Sequence, residues 1–325
     1  MSKKLVTVFG ATGNQGGAVV TTLLSHPTLS SHFSIRAITR NTTSPKAQSL
    51  ASKGIELAAA DLNNPESLTA AIAGSHAVFA VTNYWDSASK DTEVSQGRAI
   101  ADACVATGVK HIVWSALPNV TELTGGTLKK VEHFDGKHEI AMYIERIKGT
   151  ASPPMLATYF MPAFYMSNFR TMVRSSPNIN YGVPTLSLPW SPDTRVPLLD
   201  AATDTGKFVA GILGHPDPAS LNGTFIQAVS EWTSPSKIVS DMSSIIGREV
   251  RFQSLSEEEA LQAFGHMPVK LSEELVENMV LIRDYSYYGR GAEEKQDESN
   301  GVLGGVGLET ETFRGWVGKV GPWEF

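Results

Sequence analysis

The chain has 325 residues, 42% hydrophobic and 18% charged, with a formal net charge of -6. That composition suits one large globular unit or two fused ones, while the acidic balance and the lack of any long Lys/Arg run argue against direct nucleic-acid binding. No apolar segment approaches the ~20 residues of a membrane span, so no membrane partner is expected. The single cysteine, Cys104, excludes an intrachain disulfide and a Cys-based zinc cluster, reads as a small buried hydrophobe, and fits a reducing cytoplasm or nucleus. Without a signal-peptide core, the sequons at Asn41, Asn119 and Asn222 read as chance.

The first half alternates short apolar runs with helical patterns. Leu5–Phe9, Ser34–Thr39, Ile55–Ala60, Ala77–Val81, His111–Ser115 and Met155–Phe160 predict buried strands, each followed by a helix. That rhythm predicts an α/β fold of the Rossmann type, a doubly wound parallel sheet. Asn64, Pro65 and Glu66 mark a helix start, and Gly54 and Gly108 mark helix ends. Past residue 160 the rhythm breaks. Residues 1–160 read as a dinucleotide-binding domain and 161–325 as a smaller α+β substrate or partner domain interleaved with it.

Within that second part, SSPNINYGVPTLSLPWSPDTRVPLL reads as loops and edge strands over a pocket. SEEEALQAF and SEELVENMVLIRDY each open on a Ser N-cap with glutamates and read as surface helices. GRGAEEKQDESNGVLGGVG reads as a mobile loop.

The stretch VFGATGNQGG places Gly10, Gly13 and Gly16 at GxxGxxG spacing, between a strand and a helix. A helix N-terminus offers unpaired amides and a positive dipole end, so a tight glycine turn there makes a pyrophosphate site. Thr12, Asn14 and Gln15 stand at its mouth. Where the second strand ends, an NAD site usually carries a carboxylate for the ribose hydroxyl; this chain has RAITRNTTS, with Arg40 suited to a 2′-phosphate. NADP(H) is therefore the expected cofactor. Asp61 and Leu62, after the third strand, suit an adenine, although Asp61 equally suits an N-cap. Thr82, Asn83 and Tyr84 follow the fourth strand at the edge where ligands bind in such sheets.

These segments, with the strand-end TRN, QGRAIADACVATGVKHIVWSAL and VEHFDGKHEIAMYI, resemble the NmrA-like branch of the atypical short-chain dehydrogenase/reductases. The wider superfamily uses a Ser after the fifth strand and a Tyr-xxx-Lys pair on the next helix. The resemblance places Ser115 and Lys137 in those roles, with Lys137 on the nicotinamide ribose, but puts His133 where the tyrosine belongs. His133 and Lys137 share one helix face, whereas Tyr143 points away from it. An imidazole can exchange a proton near neutral pH, yet no carboxylate is evident in the sequence to orient this one.

YFMPAFYMSNFR resembles the family stretch that roofs the nicotinamide, making Phe160 a cofactor neighbour and Phe164, Tyr165 and Asn168, with Tyr84, a substrate pocket. No metal-ligand spacing appears. The resemblance implies an NADP(H)-sensing regulator acting through a protein partner, the namesake group working through a zinc-finger transcription factor, and the missing tyrosine favours that reading. The alternative is an NADPH-dependent reductase or isomerase of a small, fairly apolar metabolite.

Overall fold

The computed structural model describes residues 2–175 and 182–325. Each expected buried run forms a strand within two residues of its expected ends: β1 (Lys4–Val8), β2 (Phe33–Thr39), β3 (Glu56–Ala59), β4 (Ala77–Ala80), β5 (His111–Ser115) and β6 (Leu156–Pro162). Short strands follow: β7 (Phe164–Tyr165), β8 (Val173–Arg174), β9 (Thr185–Leu188), β10 (Val196–Leu199), β11 (Phe225–Ala228), β12 (Glu231–Thr233) and β13 (Arg251–Ser254). The central sheet has seven parallel strands in the order β11-β6-β5-β4-β1-β2-β3. Chain order reverses between β1 and β4, the switch point where such sheets bind ligands.

Apolar side chains cover both faces, as a sheet of continuous hydrophobic strands requires. Val6, Val8, Phe79 and Phe160 pack on one face under the helices Asn14–Ser25 and Asp204–Leu213. Val78, Ile112, Trp114 and Tyr159 pack on the other, under Pro65–Ile72, Lys90–Thr107 and Glu132–Ile147. The expected caps form: Asn64 Oδ1 accepts from the amides of Glu66 and Ser67 at 3.1 and 3.2 Å, and Gly108 ends its helix at φ 71°. A third core joins two three-stranded sheets, β12-β10-β7 and β13-β9-β8, to the helices Pro235–Ile246, Val269–Tyr285 and Phe313–Lys319. The second half returns to the first through Asp204–Leu213 and β11, so the two parts interleave. No helix among the described residues is long and apolar enough to cross a membrane.

Four expectations are corrected. Residues 176–181 of the Pro/Ser-rich segment lie outside the described residues, but β9 and β10 within it are the middle strands of their sheets, not edges. SEEEALQAF does form the expected helix, with a full capping box between Ser256 and Glu259. SEELVENMVLIRDY, however, starts at Val269 behind Pro268, and Ser272 lies inside it, donating back to Val269 O at 3.0 Å. This helix is a core element as well, with Glu274, Met279, Leu281 and Ile282 buried.

Lastly, the glycine-rich segment expected to be a loop contains the helix Gln296–Gly304. Small residues let it lie close: a Cβ on Gly211 would stand 2.3 Å from Val302 O. Gln296 Nε2 donates to Gln227 O at 2.9 Å and Ser299 Oγ accepts from Gln227 N at 3.0 Å, so this helix caps the otherwise open edge of β11.

His111 makes the fold acid-sensitive. It is buried at the start of β5 against Thr158 Oγ1 at 2.9 Å; burial, then nearby His76, lower its pKa from 6.5 to about 4. The unfolded chain binds the proton more readily, so stability is lost as pH falls from 6.5 toward 4. Between pH 7 and 5 this amounts to about 2 kcal/mol, and His111→Gln should flatten that part of a urea-denaturation series. A slope unchanged in the variant would assign the acid loss to other groups.

Candidate functional site

The site is assembled at the carboxyl ends of β1, β4, β5 and β6. Past β1 the chain turns at Gly10, φ +63°, whose carbonyl accepts from the amide of Gly13 at 2.9 Å. Gly13 is the N-cap of the helix Asn14–Ser25 and has no side chain to cover the first-turn amides, and no acidic residue stands there. Those amides are left to donate to an anion. A Cβ on Gly16 would lie 2.4 Å from Gly10 O, so only glycine lets the helix start this close to the strand. Thr12 is half-buried and Asn14 exposed beside this turn.

Gln15 Nε2 donates to the Tyr165 hydroxyl at 2.6 Å, tying the turn to β7, and its Oε1 is buried without a partner. Burial raises the Tyr165 pKa, the Gln15 bond offsetting it only in part. Arg40 projects past β2 with 79% of its side chain exposed, its Nη1 3.5 Å from Asp86 Oδ2. Asp61 is not a helix cap; its carboxylate accepts from the amide and side chain of Asn63, and Asn64 does the capping. Leu62 is half-buried at the same edge. Asn83 Nδ2 donates to Asp86 Oδ1 at 2.6 Å.

Beyond β4 two side chains of the helix Glu132–Ile147, Lys137 and His133, each meet a buried carboxylate. Lys137 Nζ lies 2.7 Å from Glu93 Oε1 and 3.1 Å from both Thr82 O and Thr82 Oγ1. An ammonium has three donors, and these contacts use all three. The expected ribose contact of Lys137 therefore requires a partner exchange; as it stands, Lys137 and Glu93 fix Thr82 at the strand end. Glu93 stands in the first turn of the helix Lys90–Thr107 and is fully buried.

Four residues earlier, His133 Nδ1 lies 2.6 Å from Glu274 Oε1, and the same oxygen accepts from the His133 amide at 2.9 Å. The sequence-based expectation of an imidazole without a carboxylate is thus corrected, by a residue 141 positions away in sequence. Glu274 is fully buried. Burial pushes its pKa up, but the hydrogen bonds and charge of His133, with the Tyr84 hydroxyl at 2.7 Å, outweigh this and hold it below the usual carboxylate range. Tyr84 is itself buried, its pKa raised by burial and by the Glu274 bond. It supports the dyad rather than lining an open pocket.

Glu274 also supplies what the helix Glu132–Ile147 lacks, since its N-cap, Val131, has no capping side chain, and Glu277 holds the residues just before it. Glu277 Oε2 accepts from the amides of Lys129 and Lys130 at 2.8 and 2.7 Å.

Phe160 and Phe164 are not brought to the site. Phe160 is fully buried between Phe79 and Phe208, and Phe164 packs on Phe169 and Trp190, so both belong to the core. Their burial was hidden because an apolar run looks the same as pocket wall or as core. Asn168 lies on the turn after β7. Ser115 closes β5 with its Oγ buried and without a hydrogen-bonding partner. Tyr143, as its helical position required, turns outward and donates to Asp102 at 2.6 Å. A cleft of about 400 Å³ opens beyond β5 and β6, lined by Pro118, Leu123, His138, Met161 and Phe225.

The chain resembles proteins of known type over nearly all its length. It is 36% identical over 265 residues to an NmrA-like family domain-containing oxidoreductase of Penicillium ochrochloron, covering 78% of this chain and 76% of that one. A similarly named protein of Aspergillus hancockii is 30% identical, with 98% of this chain and 97% of its own covered. Among solved structures, the negative transcriptional regulator NmrA in complex with NADP superposes with a TM-score of 0.78 at 20% identity, covering 98% of this chain and 96% of that one. The model of the NmrA-like family matches residues 2–309, and the chain belongs to that family.

Proposed function

We propose that this protein is an NADP(H)-dependent oxidoreductase acting on a small, fairly apolar carbonyl or enone, with His133 as proton donor. The observation that carries this reading is the contact of 2.6 Å between His133 Nδ1 and the buried carboxylate of Glu274. It orients the ring and leaves Nε2 as the nitrogen for substrate, the arrangement general acids require. The oxidoreductase names of the matched relatives support it.

In this reading Gly10, Thr12, Gly13, Asn14, Gln15 and Gly16 cradle the pyrophosphate, Arg40 takes the 2′-phosphate, and Asp61 and Leu62 flank the adenine. Thr82 and Asn83, with Thr82 held by Lys137, border the nicotinamide half, and Ser115 offers a hydroxyl at the end of β5. The bound nucleotide supplies hydride. Protein side chains position the acceptor, and His133 supplies the proton.

A second reading, a nucleotide-sensing regulator acting through a protein partner such as a transcription regulator, is favoured by one feature: Lys137 has no free donor for a ribose. NADPH oxidation against a panel of carbonyls and enones, beside a pull-down with and without nucleotide, separates the two. Turnover supports the first reading; nucleotide-dependent capture without turnover supports the second.

The nucleotide assignment has its own test. NADP(H) should bind more tightly than NAD(H), and Arg40→Ala should remove most of that preference, a loss of about 10–100-fold for a charge-assisted bond to phosphate. Equal affinity of the unmodified protein for both nucleotides would refute the assignment.

A further inference from the structure

We infer that Trp85 is the platform on which the substrate's carbon frame lies, which makes planar, conjugated carbonyl compounds the substrate class; this rests on the oxidoreductase reading above. Trp85 sits on the turn Tyr84–Asp86 just beyond β4 and is 48% exposed, whereas Tyr84 before it is 1% exposed. Its ring centre lies 5.1 Å from that of His133 and 5.2 Å from that of Tyr84. A lone exposed aromatic is commonplace. This one stands against the side chain of His133, itself only 13% exposed, with the two rings tilted at 48°.

The turn that carries Trp85 is fastened on every side. Tyr84 is bonded to Glu274, Asn83 to Asp86, and Lys270 Nζ donates to Ala88 O at 3.0 Å. Ala88 adopts φ 49°, a left-handed conformation costly for a residue with a Cβ, and is held there by these contacts. A fixed indole face is what recognition by stacking needs, because no ordering cost falls due on binding.

Glu274 occupies Nδ1, so the substrate oxygen must meet Nε2, and the atoms bonded to that oxygen then come within reach of Trp85. Bound NADPH would supply the hydride pair for the new C–H bond and become NADP⁺, while His133 would give its Nε2 proton to the oxygen that takes the carbonyl π pair, solvent restoring that proton. A flat conjugated frame can stack on the indole throughout, whereas a puckered saturated one cannot.

Calorimetric titration of the NADP⁺-loaded protein with 2-naphthaldehyde and with its saturated counterpart, decahydronaphthalene-2-carbaldehyde, tests this without turnover. The aromatic probe should bind about 3–10-fold more tightly; Trp85→Ala should abolish that preference and Trp85→Phe should keep most of it. A preference that survives Trp85→Ala, no binding of the aromatic probe, or a loss that falls on NADP⁺ affinity instead would each overturn the inference. Lack of NADPH oxidation by the unmodified protein counts against the oxidoreductase reading alone, since the binding comparison still reports on the platform.

Discussion

NADPH turnover is expected to fall by about two to three orders of magnitude in His133→Ala, and by about tenfold or more in Glu274→Gln, with nucleotide affinity nearly intact in both. The interaction removed from His133 belongs to the transition state, where the substrate oxygen gains its charge, so kcat should carry the loss. Glu274→Gln keeps size and hydrogen-bonding capacity while deleting the negative charge beside the His133 ring. The glutamine is preferable to alanine because Glu274 also accepts from the His133 amide, and its removal would loosen the start of the helix Glu132–Ile147.

The pH dependence follows from the sign of the Glu274 shift. Its pKa is held below the usual carboxylate range against the opposing effect of burial, so the charge and the stability it contributes are present above that range. Both are lost as pH falls through the lowered value. Steady-state kinetics of the two variants, with circular dichroism to confirm folding, decide the matter. Turnover that survives His133→Ala would move the proton donor elsewhere, with Tyr165 the next to test.

Lys137→Ala should destabilise the fold by about 3–5 kcal/mol, because it strands the charge of Glu93 where water cannot reach it. Glu93 is fully buried, and its partners are Lys137 at 2.7 Å and Thr82 Oγ1 at 2.7 Å. Deleting one ion of a buried pair costs far more than deleting both, so Lys137→Met combined with Glu93→Gln should recover most of the loss. Urea denaturation of the two variants provides the comparison. An equal loss in the double variant would show that packing around the lysine stem, rather than the stranded charge, sets the cost. The same substitution should weaken nucleotide binding indirectly, through Thr82, since Lys137 Nζ is engaged by Thr82 and Glu93.

Features set by neighbours in the chain were legible in the sequence by itself. The six strands of the first half, the glycine turn between β1 and its helix, and the caps at Asn64, Gly108 and Ser256 each depend on a few adjacent residues, and all are found where periodicity and turn chemistry put them. The shared face of His133 and Lys137 followed likewise from helical spacing. What each of those two residues touches was decided by the tertiary structure. Glu274 reaches His133 across 141 positions and Glu93 reaches Lys137 across 44, distances over which no local pattern tells a buried carboxylate from a solvated one. The helix Gln296–Gly304 is a tertiary effect as well: its glycines argue for a loop, but Gly211 of the helix Asp204–Leu213 lets it pack closely, and the edge of β11 holds it there through Gln296 and Ser299. Propensity yields in such a place because packing and satisfied edge hydrogen bonds outweigh the roughly 1 kcal/mol that each glycine costs a helix.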